Sequence, residues 1–424
     1  MLILFGTLVV LLVIGLPVAL ALTGASLMFL MIESSLPPVV VVHRMINGID
    51  SFPLLAVPFF ILAGNLMNHG GITDRIFTFA KALVGWMRGG LGHVNIGASV
   101  LFAGMSGAAV ADAGGLGTVE IKAMKESGYD ADFAVGITAA SSTIGPLIPP
   151  SLPLIVYGVV SSTSIGQLFA AGLLPGLLMA VALMVMVAWY AKVRNYGRDA
   201  GFAWLVLWQA FNRAFLSLLT PIIIVGGILA GLFTPTEAAI AACAYALVLG
   251  GFVYRTLDFR KIKAISLDTI ETTAIVLMIV AGASIFSWIL TSTQITEMVA
   301  NGILGYTQNV VLVLLLINLV LLVVGLFMEP VAAITILTPV LLPVVVALGV
   351  DPVHFGIMMV LNLMIGLLTP PVGLVLYVLA RVADISFESA VRGTTPFLIP
   401  LVIVLLLITY VPAITLWLPT LLYR

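Results

Sequence analysis

Polar positions in this chain do not alternate with apolar ones; they interrupt them. Spanning a bilayer takes about 20 apolar residues as helix, and such stretches recur at roughly 2–31, 52–66, 94–110, 165–187, 215–232, 238–253, 272–290, 310–327 and 397–418. No ten-residue alternating segments suggest barrel strands, and lipid offers backbone N–H and C=O groups no partners, so the spans are expected to be helices. The run from Leu2 to Met31 is expected to be one retained span, since no basic segment precedes it and it is too long for a signal-peptide core. Lys192, Arg194, Arg198 and Arg213 form one basic cluster, and Arg255, Arg260, Lys261 and Lys263 another. The positive-inside rule places both on the cytoplasmic side. The two apolar stretches between them, parted by Thr234-Pro235-Thr236, then leave and return as one hairpin at the seam of two halves.

The halves repeat. Gly104 matches Gly325, Gly128 matches Gly349, Asp130 matches Asp351, Ile144-Gly145 matches Ile365-Gly366, and Pro149-Pro150 matches Pro370-Pro371, each pair 221 positions apart. If the charged stretch 112–126 lies at an interface, five crossings separate equivalent points and the repeats are inverted, as in secondary transporters. Each half carries a break in an apolar stretch, Ser141-Ser142-Thr143-Ile144-Gly145-Pro146-Leu147-Ile148-Pro149-Pro150-Ser151 in the first and Gly366-Leu367-Leu368-Thr369-Pro370-Pro371-Val372-Gly373 in the second. Proline removes an N–H and glycine permits a sharp reversal, so each segment is expected to enter the membrane, turn at the proline pair and leave on the same side. Such tips present carbonyl and hydroxyl oxygens to a small cation and helix N-termini to a carboxylate. The competing reading is a pair of kinked helices without a ligand. Ser161-Ser162-Thr163-Ser164 and Arg381-Val382-Ala383-Asp384 form a second interruption after each tip, expected to lie against it.

Asp112 and Glu329 end apolar stretches, and the repeat carries Glu329 to position 108, one helical turn before Asp112. Acids at membrane depth commonly serve an ion, a proton or a buried cation. Gly104-Met105-Ser106-Gly107 also fits the pattern around the nucleophile of an intramembrane serine protease, with His93 or His354 as candidate base.

Composition narrows these readings. With 62% hydrophobic and 8% charged residues among 424, the chain has more apolar surface than one soluble core hides. A net charge of −1 gives nucleic acid no basic field. The single cysteine, Cys243, excludes an intrachain disulfide, and four widely spaced histidines form no local metal motif. No lysine follows a glycine, so the ATP-binding G-x-x-x-x-G-K-[ST] is absent. A channel remains an alternative, though paired breaks and acids suit alternating access better.

The stretch 50–67 (DSFPLLAVPFFILAGNLM), Gly89-Gly90-Leu91-Gly92, Gly145-Pro146-Leu147-Ile148-Pro149-Pro150-Ser151 and Thr369-Pro370-Pro371-Val372-Gly373 together resemble the large membrane subunit of tripartite ATP-independent periplasmic (TRAP) transporters over nearly the whole chain. The resemblance implies an all-α polytopic membrane protein of two inverted repeats, each with a re-entrant helical hairpin and a broken helix, in an elevator-type architecture. Scaffold helices would occupy 1–90 and 196–310. The transport repeats would occupy 91–195, with a hairpin at about 132–160, and 311–424, with a hairpin at about 353–380. It further implies sodium-coupled uptake of an organic acid, such as sialic acid or a C4-dicarboxylate, across a bacterial inner membrane. The implied partners are a small four-helix membrane subunit as a separate polypeptide and a periplasmic substrate-binding protein, with no ATPase subunit and no organic cofactor. A binding-protein-independent symporter is the alternative. Sodium would be held by Ser141, Ser142, Thr143, Gly145, Pro149, Ser161, Thr163, Gly325, Gly366, Thr369, Gly373 and Asp384. Ser106, Asp112, Ser151, Glu329 and Arg381 would fall near the transported solute.

Overall fold

The computed structural model describes residues 2–33, 36–198 and 201–423, without the side chains at 2, 104–106, 300, 303, 304 and 306. Among the described residues all regular structure is helical, apart from one isolated bridge between Arg88 and Arg198. The first apolar run is two helices rather than the single span expected: α1 (Leu2–Val13) and α2 (Val18–Glu33) pack on each other. Gly15, at φ 91°, turns the chain between them, and Pro17 has no N–H to continue α1. Then come α3 (Val39–Ile49), α4 (Ala56–His69), α5 (Ile72–Val84), α6 (Gly90–Ser106), α7 (Ala109–Gly114), α8 (Leu116–Glu126), α9 (Ala131–Ser142), α10 (Leu152–Val160) and α11 (Ile165–Val193). At the seam, α12 (Trp204–Pro221) passes through one wider π-helical turn into α13 (Gly227–Leu229), followed by α14 (Pro235–Val248), α15 (Phe259–Ser292) and α16 (Ile295–Tyr306). The second half ends with α17 (Val310–Gly325), α18 (Pro330–Ala347), α19 (Pro352–Gly366), α20 (Leu374–Ala383), α21 (Phe387–Tyr410) and α22 (Ala413–Leu422).

Seven helical segments of the described residues are long and apolar enough to cross a membrane. Large apolar side chains lie on the outside, among them Val181, Val185 and Trp189 on α11 and Ile399 and Ile403 on α21. A surface of that kind needs a hydrocarbon solvent, so this is a multi-pass membrane protein. One group of helices is built around α15, which holds α2, α3 and α4, while α4 also lies along α14. A second group is formed by α6–α11 with α17–α22, in which α9 crosses α21 with glycines at the contact. A Cβ on Gly136 would strike the Gly393 carbonyl, and one on Gly393 the Asp132 carbonyl, so only small residues allow this approach.

The course of each half follows from what its ends touch. Helix α6 starts where the Gly89 N–H donates to the Gly197 carbonyl, 2.9 Å away. Helix α8 ends beside the same connection: Asp130 accepts from Arg194 at 2.8 Å and from Tyr196 at 2.6 Å. The segment α6–α7–α8 therefore enters and leaves at one face, here called the basic face. Helix α9 starts at that face too, with Asp132 paired to Arg194 at 3.1 Å. Its continuation α10 brings Gly158, in its last turn, against Ile165 at the other end of α11. Helix α11 has 29 residues, about 43 Å at 1.5 Å per residue, so α9–α10 crosses the whole bundle.

The second half behaves likewise from the opposite face. Val311 at the start of α17 accepts from Tyr410 at 3.2 Å, and His354, just beyond the end of α18, meets Thr409. Helices α17 and α18 thus share the face where α21 ends. Helix α19 starts there, and α20 ends at the basic face, where the Ala383 carbonyl accepts from Lys125 at 2.8 Å. The proline segments at 132–160 and 353–380 consequently run from one face to the other as broken helices, and the segments that turn back to their starting face are 90–126 and 310–347. This corrects the placement expected from sequence. Proline marks where a helix breaks; it does not determine on which side the chain leaves. The stretch 112–126, expected at an interface, is the returning arm of the first hairpin, with Asp112, Leu116 and Glu120 buried.

Candidate functional site

Each hairpin turn is seated against the break of its own half. Gly107, at φ 61°, ends α6 in a conformation that suits glycine, and Ala108 is extended before α7. The Gly107 carbonyl accepts from the Leu152 N–H at 3.3 Å, and a Cβ there would strike the Pro150 carbonyl. The turn and the break thus touch through backbone. Asp112, one turn into α7 and 2% exposed, lies beside the break: a Cβ on Gly145 would collide with its Oδ2. In the second half, a Cβ on Gly366 would come within 2.7 Å of the Gly325 backbone, so turn and break meet there through two glycines. Both proline pairs carry a cis bond, at Pro149–Pro150 and Pro370–Pro371.

Ser141, Ser142, Thr143, Gly145, Pro149 and Ser151 are gathered and buried in the first break. Ser142 donates to the Ala139 carbonyl at 2.8 Å and Thr143 to the Ala140 carbonyl at 2.6 Å. In the second break Thr369 donates to Ile365 at 2.9 Å. A hydroxyl that spends its proton on its own helix keeps oxygen lone pairs for a cation, so these positions have the right donor chemistry for one. Ser151 caps α10, accepting from the Leu154 N–H at 3.2 Å and donating to the Pro146 carbonyl. Glu329 caps α18, accepting from the Ala332 N–H at 3.2 Å. The Ser106 side chain lies outside the described residues.

Four expected residues are not at the breaks. Ser161 and Thr163 bond each other at 2.8 Å at the far end of α10, and Arg381 and Asp384 are exposed at the basic-face end of α20. The interruptions after the proline segments therefore join crossing helices at the surface and do not lie against the turns. The reason is the crossing itself: nine residues of α10 and ten of α20 carry the chain about 14 Å away from its break.

The structure adds polar residues that no motif marked. Asn95 on α6 donates to Glu120 Oε2 and to Thr138 Oγ1, both at 2.7 Å, and Ser141 donates to Asn95 Oδ1 at 2.6 Å. In the second half Asn362, which the 221-residue offset matches to Ser141, donates to Asn318 Oδ1 at 2.7 Å and Asn318 donates to Thr409 at 3.1 Å. Asn318 alone interrupts the run Val310–Gly325, which is the signal that would have found it. His354, a candidate protease base, is occupied instead: Nδ1 bonds Thr415 Oγ1 at 2.8 Å and Nε2 faces the Thr409 carbonyl at 3.3 Å.

Two segments that turn back thus face two broken helices. Comparison gives the class. Residues 5–414 match the family described as "Tripartite ATP-independent periplasmic transporter, DctM component", and the chain belongs to it. It is 53% identical over 407 residues to the sialic acid TRAP transporter large permease protein SiaM of Vibrio cholerae, covering 96% of this chain and 95% of that one. It is 36% identical to the C4-dicarboxylate TRAP transporter large permease protein DctM of the same organism, covering 99% and 97%. The Alcanivorax borkumensis YdaH transporter shares the fold, with a TM-score of 0.65 at 14% identity over 89% of this chain and 88% of that one.

Proposed function

We propose that this chain takes up an organic acid of the sialic acid or C4-dicarboxylate class together with sodium, as the large permease subunit of a binding-protein-dependent transporter. A small membrane subunit and a periplasmic binding protein complete the system in a bacterial inner membrane. The carrying observation is that each hairpin turn meets a broken helix at matched positions, with the Asp112 carboxylate against Gly145. The resemblance of the sequence to both named permeases supports the substrate class.

The hairpins open to opposite faces, so an axis in the membrane plane relates the halves and the repeats are inverted. Arg75, stacked 3.6 Å over Tyr254, with Arg88 and Lys125, joins the two basic clusters at one face, which the positive-inside rule makes cytoplasmic. The group α6–α11 with α17–α22 moves as one body along the helices around α15. Two crevices of about 420 and 350 Å³ lie between these groups, one lined by Ser51, Thr234 and Ser164, the other by Asn47, Ser284 and Thr335. Sodium held by hydroxyls and carbonyls at the breaks orders the turns and completes the solute site, so coupling is a linkage of two binding equilibria, typically about 1–3 kcal/mol.

Uptake of labelled sialic acid and C4-dicarboxylates into proteoliposomes holding the chain, its small subunit and candidate binding proteins tests this. Uptake is expected to need an inward sodium gradient and one binding protein; uptake without any binding protein would remove the tripartite assignment. Asp112→Ala is expected to insert normally and to lower uptake to background, and normal sodium-driven uptake by that variant would refute its role.

A further inference from the structure

We infer that Glu120 is a proton-binding site inside the first hairpin, carried as the neutral acid, and that transport, on the reading proposed above, requires that proton. Glu120 is 2% exposed on α8, among α6, α7, α9 and α20. Among the described residues its one hydrogen bond is that from Asn95, and its buried Oε1 has no partner there. Among the described residues no Lys, Arg or His forms an ion pair with it. The ionisable groups on the surrounding elements are Asp112 on α7, His93 on α6, Asp132 on α9, Arg381 on α20, and Lys122, Lys125 and Glu126 on α8 itself. Arg381 and Lys122 are exposed, Lys125 is held by the Ala383 carbonyl, and Asp132 is held by Arg194. An ionised carboxylate buried here, with no basic partner among the described residues, is among the costliest arrangements in a protein interior.

The hydrogen bonds favour a proton over a metal cation. Asn95 aims both its N–H bonds at the Glu120 and Thr138 oxygens, which places positive dipole ends where a cation would have to sit. The amide has an equivalent shape when turned over. Its Oδ1 then accepts from a protonated Glu120 and from the Thr138 hydroxyl, and its NH₂ donates to Ser141, whose own hydroxyl reaches the Thr138 carbonyl at 3.2 Å. That arrangement pairs the same three contacts, and it exists only if Glu120 is the donor. Ser141 belongs to the first break, so loss of the proton reaches the break through Asn95. The proton leaves to water at a stage of the cycle, or at a pH, that exposes the hairpin, and the acid becomes a carboxylate.

Two measurements separate this inference from the transporter reading. Infrared spectra of the purified native chain should show a protonated carboxyl C=O band that Asp112→Asn keeps and Glu120→Gln removes; this requires no transport. In proteoliposomes with the partner proteins and a fixed sodium gradient, uptake of labelled sialic acid should fall about tenfold per pH unit on the alkaline side, as loss of one proton demands. Glu120→Gln, whose amide stays neutral, should flatten that limb. A band that survives Glu120→Gln, a band lost in Asp112→Asn, an unchanged alkaline limb in the Gln variant, or a loss of sodium dependence in its place would each overturn the proton site. A correct band with no uptake of any organic acid would instead leave the proton site standing and remove the transporter reading.

Discussion

In the first half the break between α9 and α10 is sealed: every residue from Ser141 to Pro150 is buried, and a carboxylate stands against Gly145. In the second half the matched Pro370 and Pro371 are exposed, Thr369 is partly so, and Gly366 meets the Gly325 backbone. At the matched glycines, Gly145 and Gly366, the tightest described contact is thus with a side chain in one half and with main chain in the other. A side chain can swing aside, whereas two glycine backbones in contact cannot, so the halves should respond differently to the same change.

Alanine at the two matched glycines is the strongest test of that difference. Gly366→Ala drives a Cβ to 2.6 Å from the Gly325 backbone, and helices must separate to admit it. Overpacking of this kind costs about 1–3 kcal/mol, so both the thermal midpoint and uptake should drop. Among the described residues, the tight contact of Gly145→Ala is with the end of Asp112, which can rotate away. That variant should unfold near the native temperature and yet lose most uptake, because the carboxylate has left its place. Equal losses of stability in the two variants would dissolve the comparison.

The polar bridges between hairpin and broken helix come next in size. Asn362→Ala strands Asn318 Oδ1 and its carbonyl, which accept from the Asn362 amide at 2.7 and 3.0 Å. Ser141→Ala removes one hydroxyl from Asn95. Hydrogen bonds between membrane helices are worth about 0.6–2 kcal/mol. Asn362→Ala should therefore cost more than Ser141→Ala in a denaturation series in detergent, and the reverse order would place the stronger bridge in the first half.

How far the sequence carries follows from the range of each signal. The 221-residue offset was legible because paired glycines and prolines fix local backbone, and helices α18 and α19 do begin 221 positions after α7 and α9. Asp112 was legible as an acid at the end of an apolar run. The assignment of hairpin and crossing was not, since it depends on which connection each end touches, and the contacts of Gly89, Asp130 and Asp132 with 194–197 span 62 to 108 positions. Glu120 was hidden by its neighbours. Lys122, Lys125 and Glu126 make its stretch read as a solvated surface, whereas one helical face turns Glu120 inward among Leu116, Ile121 and Met124.

The smallest effect tests whether matched residues do matched work. Asp351 caps α19, accepting from the Val353 N–H at 2.7 Å and the His354 N–H at 3.4 Å. Its counterpart Asp130 makes no capping bond to α9 and is spent on Arg194 and Tyr196. A lost N-cap costs about 1 kcal/mol and is only weakly screened by salt, because the bond is short and local. An exposed ion pair contributes at most about 1 kcal/mol and fades as ionic strength rises. Asp351→Ala should lower the thermal midpoint by a similar amount at low and high salt, while the shift caused by Asp130→Ala should shrink as salt is added. The Tyr196 bond, which salt does not screen, sets the floor to which the second shift falls, and a salt-independent Asp130→Ala would assign its whole contribution to that tyrosine.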